Sequence, residues 1–430
     1  MLKTFANAWK IKDLREKMLF TLMMLAVFRL GNILPLPFVN VQVVKSIYEG
    51  TAGSLLGIVN TITGGGLESL SVFALGVGPY ITSSIVVQLL TFAIPALEEL
   101  SKQGEAGRKK IQNITKYVAL ALAVLQAIGI VLGIFNDAIG IFNGSGTLPK
   151  LIVILSLVAG SQFLIWIGEL ITEKGIGNGV SMIIFIGIIS RIPNVIIGWI
   201  NGISNGVAGY EWYKFIFTLV LSLISIIFVL YLTNGERRIP VQYAKRVVGR
   251  KMYGGQSTHI PLKVNMSGVM PVIFSSAIMA LPQTLALIIG GGFANFVNKY
   301  LVPTTAFGTI FYVIVLFALV ILFAYFYNTI QFNPYEYSKN LQQNGGFIPG
   351  IRPGKPTTDY LGSIVSRITL IGAIGLGLVA ALPRLLSYFL NINMTLGGTS
   401  IIIAVGVIIE TQKQLEAMMQ LRHYKGFLNK

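Results

Sequence analysis

Apolar residues run along this chain in blocks of about 17–25, parted by short polar stretches, with neither strict alternation nor a single apolar helical face. A helix of that length crosses the roughly 30 Å hydrocarbon core of a bilayer. Ten blocks predict ten spans, near residues 18–36, 72–93, 117–135, 151–171, 180–200, 215–232, 268–290, 306–330, 361–382 and 400–418. The expected fold class is an all-α polytopic membrane protein. An even number of spans puts both chain ends on one side. Ten spans also divide into two sets of five, and an odd-numbered unit inserts its second copy upside down. That arithmetic predicts an inverted repeat, with halves 1–205 and 206–430; the halves show no convincing residue-level similarity.

Composition narrows the class further. Charged residues are 11% of the chain, against roughly 25% in soluble domains, while 54% is hydrophobic. Too little polar surface remains to wet a globule of 430 residues. No cysteine is present, which excludes disulfides, thiolate metal sites and cysteine nucleophiles. The basic start (Lys3, Lys10, Lys12, Arg15, Lys17) feeds an apolar run of full spanning length, so an uncleaved first helix is expected rather than a signal peptide.

The formal net charge is +17. Such an excess fits nucleic acid, anionic lipid or acidic protein partners, and its placement says more. Of 33 lysines and arginines, seven (Arg29, Lys45, Lys150, Arg191, Lys214, Lys299, Arg384) fall in one set of loops and span ends. The other 26 fall on the side of the termini, which the positive-inside rule assigns to the cytoplasm.

Several segments are badly built as plain anchors. "FALGVGPYITSSIVVQLL" (73–90) opens on Gly76, Gly78 and Pro79, carries Thr82, Ser83, Ser84 and Gln88, and sets Ile81 and Ile85 on one helical face. Before it, "GIVNTITGGGLESL" (57–70) is half apolar and too short to span. It is either packed inside protein, because lipid leaves irregular backbone unpaired, or an interfacial loop. Ionisable residues within spans are few and sit towards ends: Arg29, Glu169, Arg367 and Glu410. An ion-coupled carrier usually places such groups near the midplane. Neither a zinc-protease HExxH, nor paired carboxylates at helical spacing within a span, nor a Ser–His pair at membrane depth occurs, so no catalytic constellation, metal site or cofactor is expected. "EKGIGNGVS" (173–181) lacks the Lys-Ser/Thr ending of a phosphate loop.

Two basic loops stand out. "GERRIPVQYAKRVVGRKMYGGQSTHIPLKVN" (235–265) alternates apolar and basic residues between glycines, the pattern of a projecting hairpin. Its arginines and lysines suit phosphates or an acidic protein face, or simply orient the helices. "NGGFIPGIRPGKPT" (344–357) frames Arg352 with prolines and glycines, which fixes a shape and suggests docking.

Taken together, "SVFALGVGPYITSSIVVQLL" (71–90), "IWIGELITEKGIGNGVSMII" (165–184), "ERRIPVQYAKR", "QSTHIPLKVN", "FIPGIRPG" and "GGTSIII" resemble signature segments of the SecY family, channel subunits of the bacterial protein-export translocon, in the same order and over essentially the whole chain. The FIPGIRPG loop favours the bacterial or plastid branch. The resemblance implies ten transmembrane helices in two inverted five-helix halves around a central pore, in the cell membrane with both termini cytoplasmic. It implies a protein-conducting channel for unfolded preproteins, not an enzyme, that also releases hydrophobic segments sideways into lipid.

Residue by residue, the resemblance puts a pore ring at Ile81, Ile85, Val180, Ile184, Ile273 and Ile403. Val180 is smaller than the family's usual residue there, which widens one side. It puts a plug at about 57–71, with Asn60, Ile62, Gly64, Gly65, Gly66, Leu67 and Leu70. A lateral gate between helices 2 and 7 takes in Gln88, Ser275 and Ser276. Contacts with the SecA motor or the ribosome fall on the cytoplasmic loops about 234–265 and 331–360, at Arg237, Arg238, Lys245, Arg246, Arg250, Lys251 and Arg352. Implied partners are SecE, SecG, the SecA ATPase, the ribosome, preproteins with their signal peptides, and anionic lipids. A secondary transporter for a small solute is the competing reading, disfavoured by the lack of midplane ionisable groups.

Overall fold

The computed structural model describes residues 2–44, 65–134, 147–207, 210–243, 246–248, 251–253, 257–302, 305–390, 392 and 397–428. A short helix α1 (Leu2–Trp9) leads into α2 (Lys12–Ile33). Then follow α3 (Gly78–Ala93), α4 (Pro95–Lys102), α5 (Glu105–Ile128) with a terminal π turn (Gly129–Ile134), α6 (Thr147–Lys174), α7 (Gly179–Ile189) and α8 (Ile192–Ser204). The rest of the chain carries α9 (Trp212–Asn234), α10 (Met270–Ile289), α11 (Gly291–Tyr300), α12 (Ala306–Gln331), α13 (Pro334–Gln343), α14 (Lys355–Phe389) and α15 (Gly398–Leu428).

Every one of the ten apolar blocks therefore holds helix. By length and composition, six described helical stretches can cross a membrane, or seven if α3 and α4 are joined across their 100° bend. The fold is all-α and polytopic in its membrane part. α9 presents Ile216, Leu219, Leu223, Ile224, Ile227 and Phe228 outward, an apolar surface that water does not tolerate and lipid does. At the other extreme, two thirds of the apolar stretch of α14 is buried, so α14 is an internal strut.

Proline sets many of the helix starts. It occupies one of the first two positions of α3, α4, α8, α10, α13 and α14, where its missing N–H would have had no partner anyway. The sharp α3–α4 bend has the same origin: Ile94 precedes Pro95 and is driven to extended backbone. Side-chain caps finish others, with Asn178 accepting from Ser181 N at α7 and Thr305 from Gly308 N at α12.

The second block differs from expectation. A helix from Val72 is expected, yet the chain winds through turns until Gly78. Leu70 and Gly76 have φ of 42° and 57°, incompatible with a continuing helix. The turns are held from the side: Leu36 N donates to Leu70 O, Val72 N to Leu34 O, and Ser71 Oγ to Asn32 Oδ1. Backbone in this stretch is thus satisfied within protein, as burial away from water requires.

Outside the helices, β1 (Glu236–Tyr243) and β4 (Ser257–Lys263) form an antiparallel ladder, from Glu236 opposite Lys263 to Gln242 opposite Ser257. A smaller ladder pairs β2 (Arg246–Val248) with β3 (Lys251–Tyr253). The hairpin expected in 235–265 is present. Its sheet has a third strand that no local pattern announces, β5 (Gly346–Phe347) from the second loop, paired to β1. Ile239, Val241 and Leu262 pack with Phe332, Leu341, Ile348 and Leu361, so the two loops share one apolar core on the end of α14.

Candidate pore and gating seam

Four helices deliver the six proposed ring side chains. Ile81 and Ile85 share one face of α3, Val180 and Ile184 lie on α7, Ile273 on α10 and Ile403 on α15. The five isoleucines belong to one buried cluster, each between 2% and 8% exposed, and Val180 packs against it. Stiff branched side chains from four helices are thus buried in one continuous apolar cluster. Gly168 on α6 lies behind Val180, where a Cβ would come 3.2 Å from Val180 Cγ2.

Close helix approach brings these faces together. The first residue of α7, Gly179, sits so tightly on α6 that a Cβ would fall 1.8 Å from the Gly168 carbonyl oxygen. The first residue of α15, Gly398, would meet the Val379 carbonyl oxygen of α14 at the same distance. Gly179 N also donates to Thr172 Oγ1 at 2.9 Å. The Gly-rich run 173–181 is thus a helix-to-helix elbow.

Of the plug residues, Asn60, Ile62 and Gly64 lie outside the described residues. Gly65, Gly66, Leu67 and Leu70 are in the turn segment. Leu67 and Leu70 are fully buried, in one apolar cluster with Leu36, Ala123, Ala127, Val131 and Leu157. Phe73, just beyond, stacks on Phe28 and Phe163 at 6.1 and 6.0 Å. It joins the same cluster as Ile81 and Ile85.

α3 packs against α10, and the π turn Gly129–Ile134 also rests on α10. Gln88 is the polar centre of this region: its Nε2 donates to Ser84 Oγ at 3.2 Å, and its Oε1 accepts from Tyr327 OH on α12 at 2.5 Å. Ser83 Oγ donates to the Thr115 carbonyl of α5. Ser275 and Ser276 behave differently, since both hydroxyls bond back to carbonyls of their own helix, those of Pro271 and Val272. Sequence reading did not single out the aromatic patch beside them. Phe274 meets Tyr327 at 5.0 Å and Phe323 at 5.9 Å, and Phe92 meets Phe326 at 5.1 Å. Aromatics inside apolar blocks look alike in sequence, and only contact reveals which ones meet.

On the joined loops, Arg237, Arg238 and Arg352 are exposed. Arg238 pairs with Glu236 at 2.7 Å. Gly350 and Gly354 adopt φ of 83° and 99° around Arg352, conformations that bulkier residues resist. Thr357 Oγ1 donates to the Arg352 carbonyl, further fixing the loop. Lys245 and Arg250 lie outside the described residues. Arg246 and Lys251 are placed on β2 and β3 by backbone only.

Comparison with known proteins gives consistent matches. The SecY family profile matches residues 71–412. Curated relatives include protein translocase subunit SecY of Mycobacterium tuberculosis, 43% identical over 455 residues, and that of Streptomyces coelicolor, 42% identical over 444, each covering 100% of both chains. Among solved structures, one described as "The structure of a protein conducting channel" has a TM-score of 0.67 at 21% identity, over 94% of this chain and 92% of that one. Another, "Sec61 in the Canine ribosome-channel complex from the endoplasmic reticulum", has 0.63 at 19% identity over the same shares. These two carry the fold.

Proposed function

The chain belongs to the SecY family, and from that premise we propose how it works as a protein-conducting channel that moves unfolded preproteins across the membrane. The carrying observation is the burial of Ile81, Ile85, Ile184, Ile273 and Ile403, from four helices, in one apolar cluster. A ring of branched apolar side chains closes around a passing chain and dewets when empty. It offers no charge or hydrogen bond to select a sequence, so any preprotein passes. The plug is the segment of about 57–71, of which Leu67 and Leu70 are buried among Leu36, Ala123 and Leu157.

The ten helices form two inverted halves, 1–205 and 206–430. Support comes from the paired elbows: the fifth spanning unit of each half begins on a glycine pressed onto the preceding helix, Gly179 on Gly168 and Gly398 on Val379. Both termini and the joined loops lie on the cytoplasmic side of the cell membrane. There Arg237, Arg238 and Arg352, with the charges at 245–251, receive the SecA motor or the ribosome, and anionic lipid lies alongside. SecE and SecG complete the complex. The seam between α3 and α10, with Gln88 near its middle, parts to release hydrophobic segments into lipid.

Because the chain has no cysteine of its own, one placed at Ile85 is a clean probe. With SecE and SecG co-expressed, a preprotein arrested mid-passage and carrying a single cysteine is expected to form a disulfide with Ile85→Cys. A lipid-facing control such as Leu22→Cys is expected to form none. No cross-link at Ile85 despite verified arrest would move the path away from the ring and favour a transporter of small solutes.

A further inference from the structure

The turn from Val264 to Ser267 joins β4 to α10 and lies across α12 and α14. At that crossing Thr369 on α14 gives its single hydroxyl proton to the Val365 carbonyl at 2.7 Å. Its oxygen accepts from Asn328 Nδ2 on α12. The amide of Asn328 is therefore fixed. Its Oδ1 points away from Thr369, is fully buried and has no hydrogen-bond partner among the described residues. Asn328 as a whole residue is only 5% exposed.

A cavity of about 10 Å³ is lined by Asn265, Ser267, Asn328, Thr369 and Gly372, among others. Asn265 and Ser267 are themselves buried, and the bond between them is stretched to 3.5 Å, at the limit for a hydroxyl donor. Gly372 brings the wall close: a Cβ there would lie 2.5 Å from the Val264 carbonyl oxygen. The turn thus rides on the backbone of α14, with polar groups from three elements facing one small space.

Buried polar atoms in native proteins are met by protein or by ordered water. A cavity of this size admits about one water, which needs two to four polar partners, and the lining supplies them. No carboxylate is among the lining residues, so a cation would enter without a counter-charge. We propose that one ordered water occupies this cavity, donates to Asn328 Oδ1 and bonds to the Asn265–Ser267 turn. The root of α10 is thereby tied to α12 and α14 through a molecule that no side chain replaces. This inference stands apart from the transport reading, since it concerns a structural ligand of the resting fold.

The test is a structure of the full chain in lipid nanodiscs, at a resolution where ordered water is visible. A peak about 2.5–3.0 Å from Asn328 Oδ1 is expected, with a second contact to Asn265, Ser267 or the turn backbone. An empty cavity overturns the proposal, and so does a peak that appears only after a metal salt is added. Asn328→Leu should abolish the peak. Ser267→Ala, the milder change, should lower the thermal unfolding midpoint, and an unchanged midpoint would show that the water ties nothing.

Discussion

Tyr327 and Gln88 are 239 positions apart, yet one hydrogen bond at 2.5 Å joins them across α12 and α3. Interhelical bonds of this kind contribute about 0.6–2 kcal/mol in membranes, enough to hold a seam closed and small enough to release it. Tyr327→Phe keeps the ring contacts with Phe274 and Phe326 but removes the bond. Export of preproteins with weakened signal segments should rise by about three- to thirtyfold, the equivalent of that energy; an unchanged export ratio would remove Gln88 from the gate. At the ring, Ile81→Asn with Ile85→Asn should hydrate the centre and raise the resting ion conductance in planar bilayers, whereas Ile81→Leu should not. The isoleucine pair was legible in the sequence because positions i and i+4 share a face whatever the fold. Tyr327 was not, because a tyrosine in an apolar block shows neither its partner nor its side of the helix.

Among elements, the elbows before α7 and α15 carry the most exacting packing. Alanine at Gly179 or Gly398 would set a Cβ 1.8 Å from a backbone carbonyl oxygen, and neither a main chain nor a short side chain yields cheaply. Overpacking of this kind costs about 1–3 kcal/mol, occasionally more, and these positions belong at the upper end. Gly179→Ala and Gly398→Ala should each lower the thermal unfolding midpoint and the yield of folded protein. Gly198→Ala on α8, with nothing within 4 Å of its Cβ and no proline after it, is the matched control and should lower neither. The start of α3 shows how far local pattern reaches. Hydropathy carries the second block back to Val72, since Val72, Phe73, Ala74 and Leu75 are as apolar as any helix. The chain there takes turns instead, because Asn32, Leu34 and the residues around Leu67 supply its hydrogen bonds and its packing.

Over the whole molecule, the two basic loops work as one body. β5 adds to β1, and the shared core under the sheet holds Arg237, Arg238 and the Arg352 loop in fixed relation on α14. Arg352→Glu should cut SecA-driven export roughly thirtyfold or more, the equivalent of the lower end of the 2–5 kcal/mol lost when an interfacial charge pair is broken. Its unfolding midpoint should not change, because the side chain is exposed. Undiminished export would take Arg352 out of the docking surface. By itself, the sequence determined the number and order of the apolar blocks, the uneven share of positive charge among the polar stretches and the shared face of Ile81 and Ile85. Each of these depends on local composition or helical period, so each is written in neighbouring residues. Only the tertiary structure decided that α3 begins at Gly78, that loops about 100 positions apart form one sheet, and that Tyr327 closes on Gln88. Those features come from backbone and side-chain partners distant in sequence, and hydropathy carries no address for a partner.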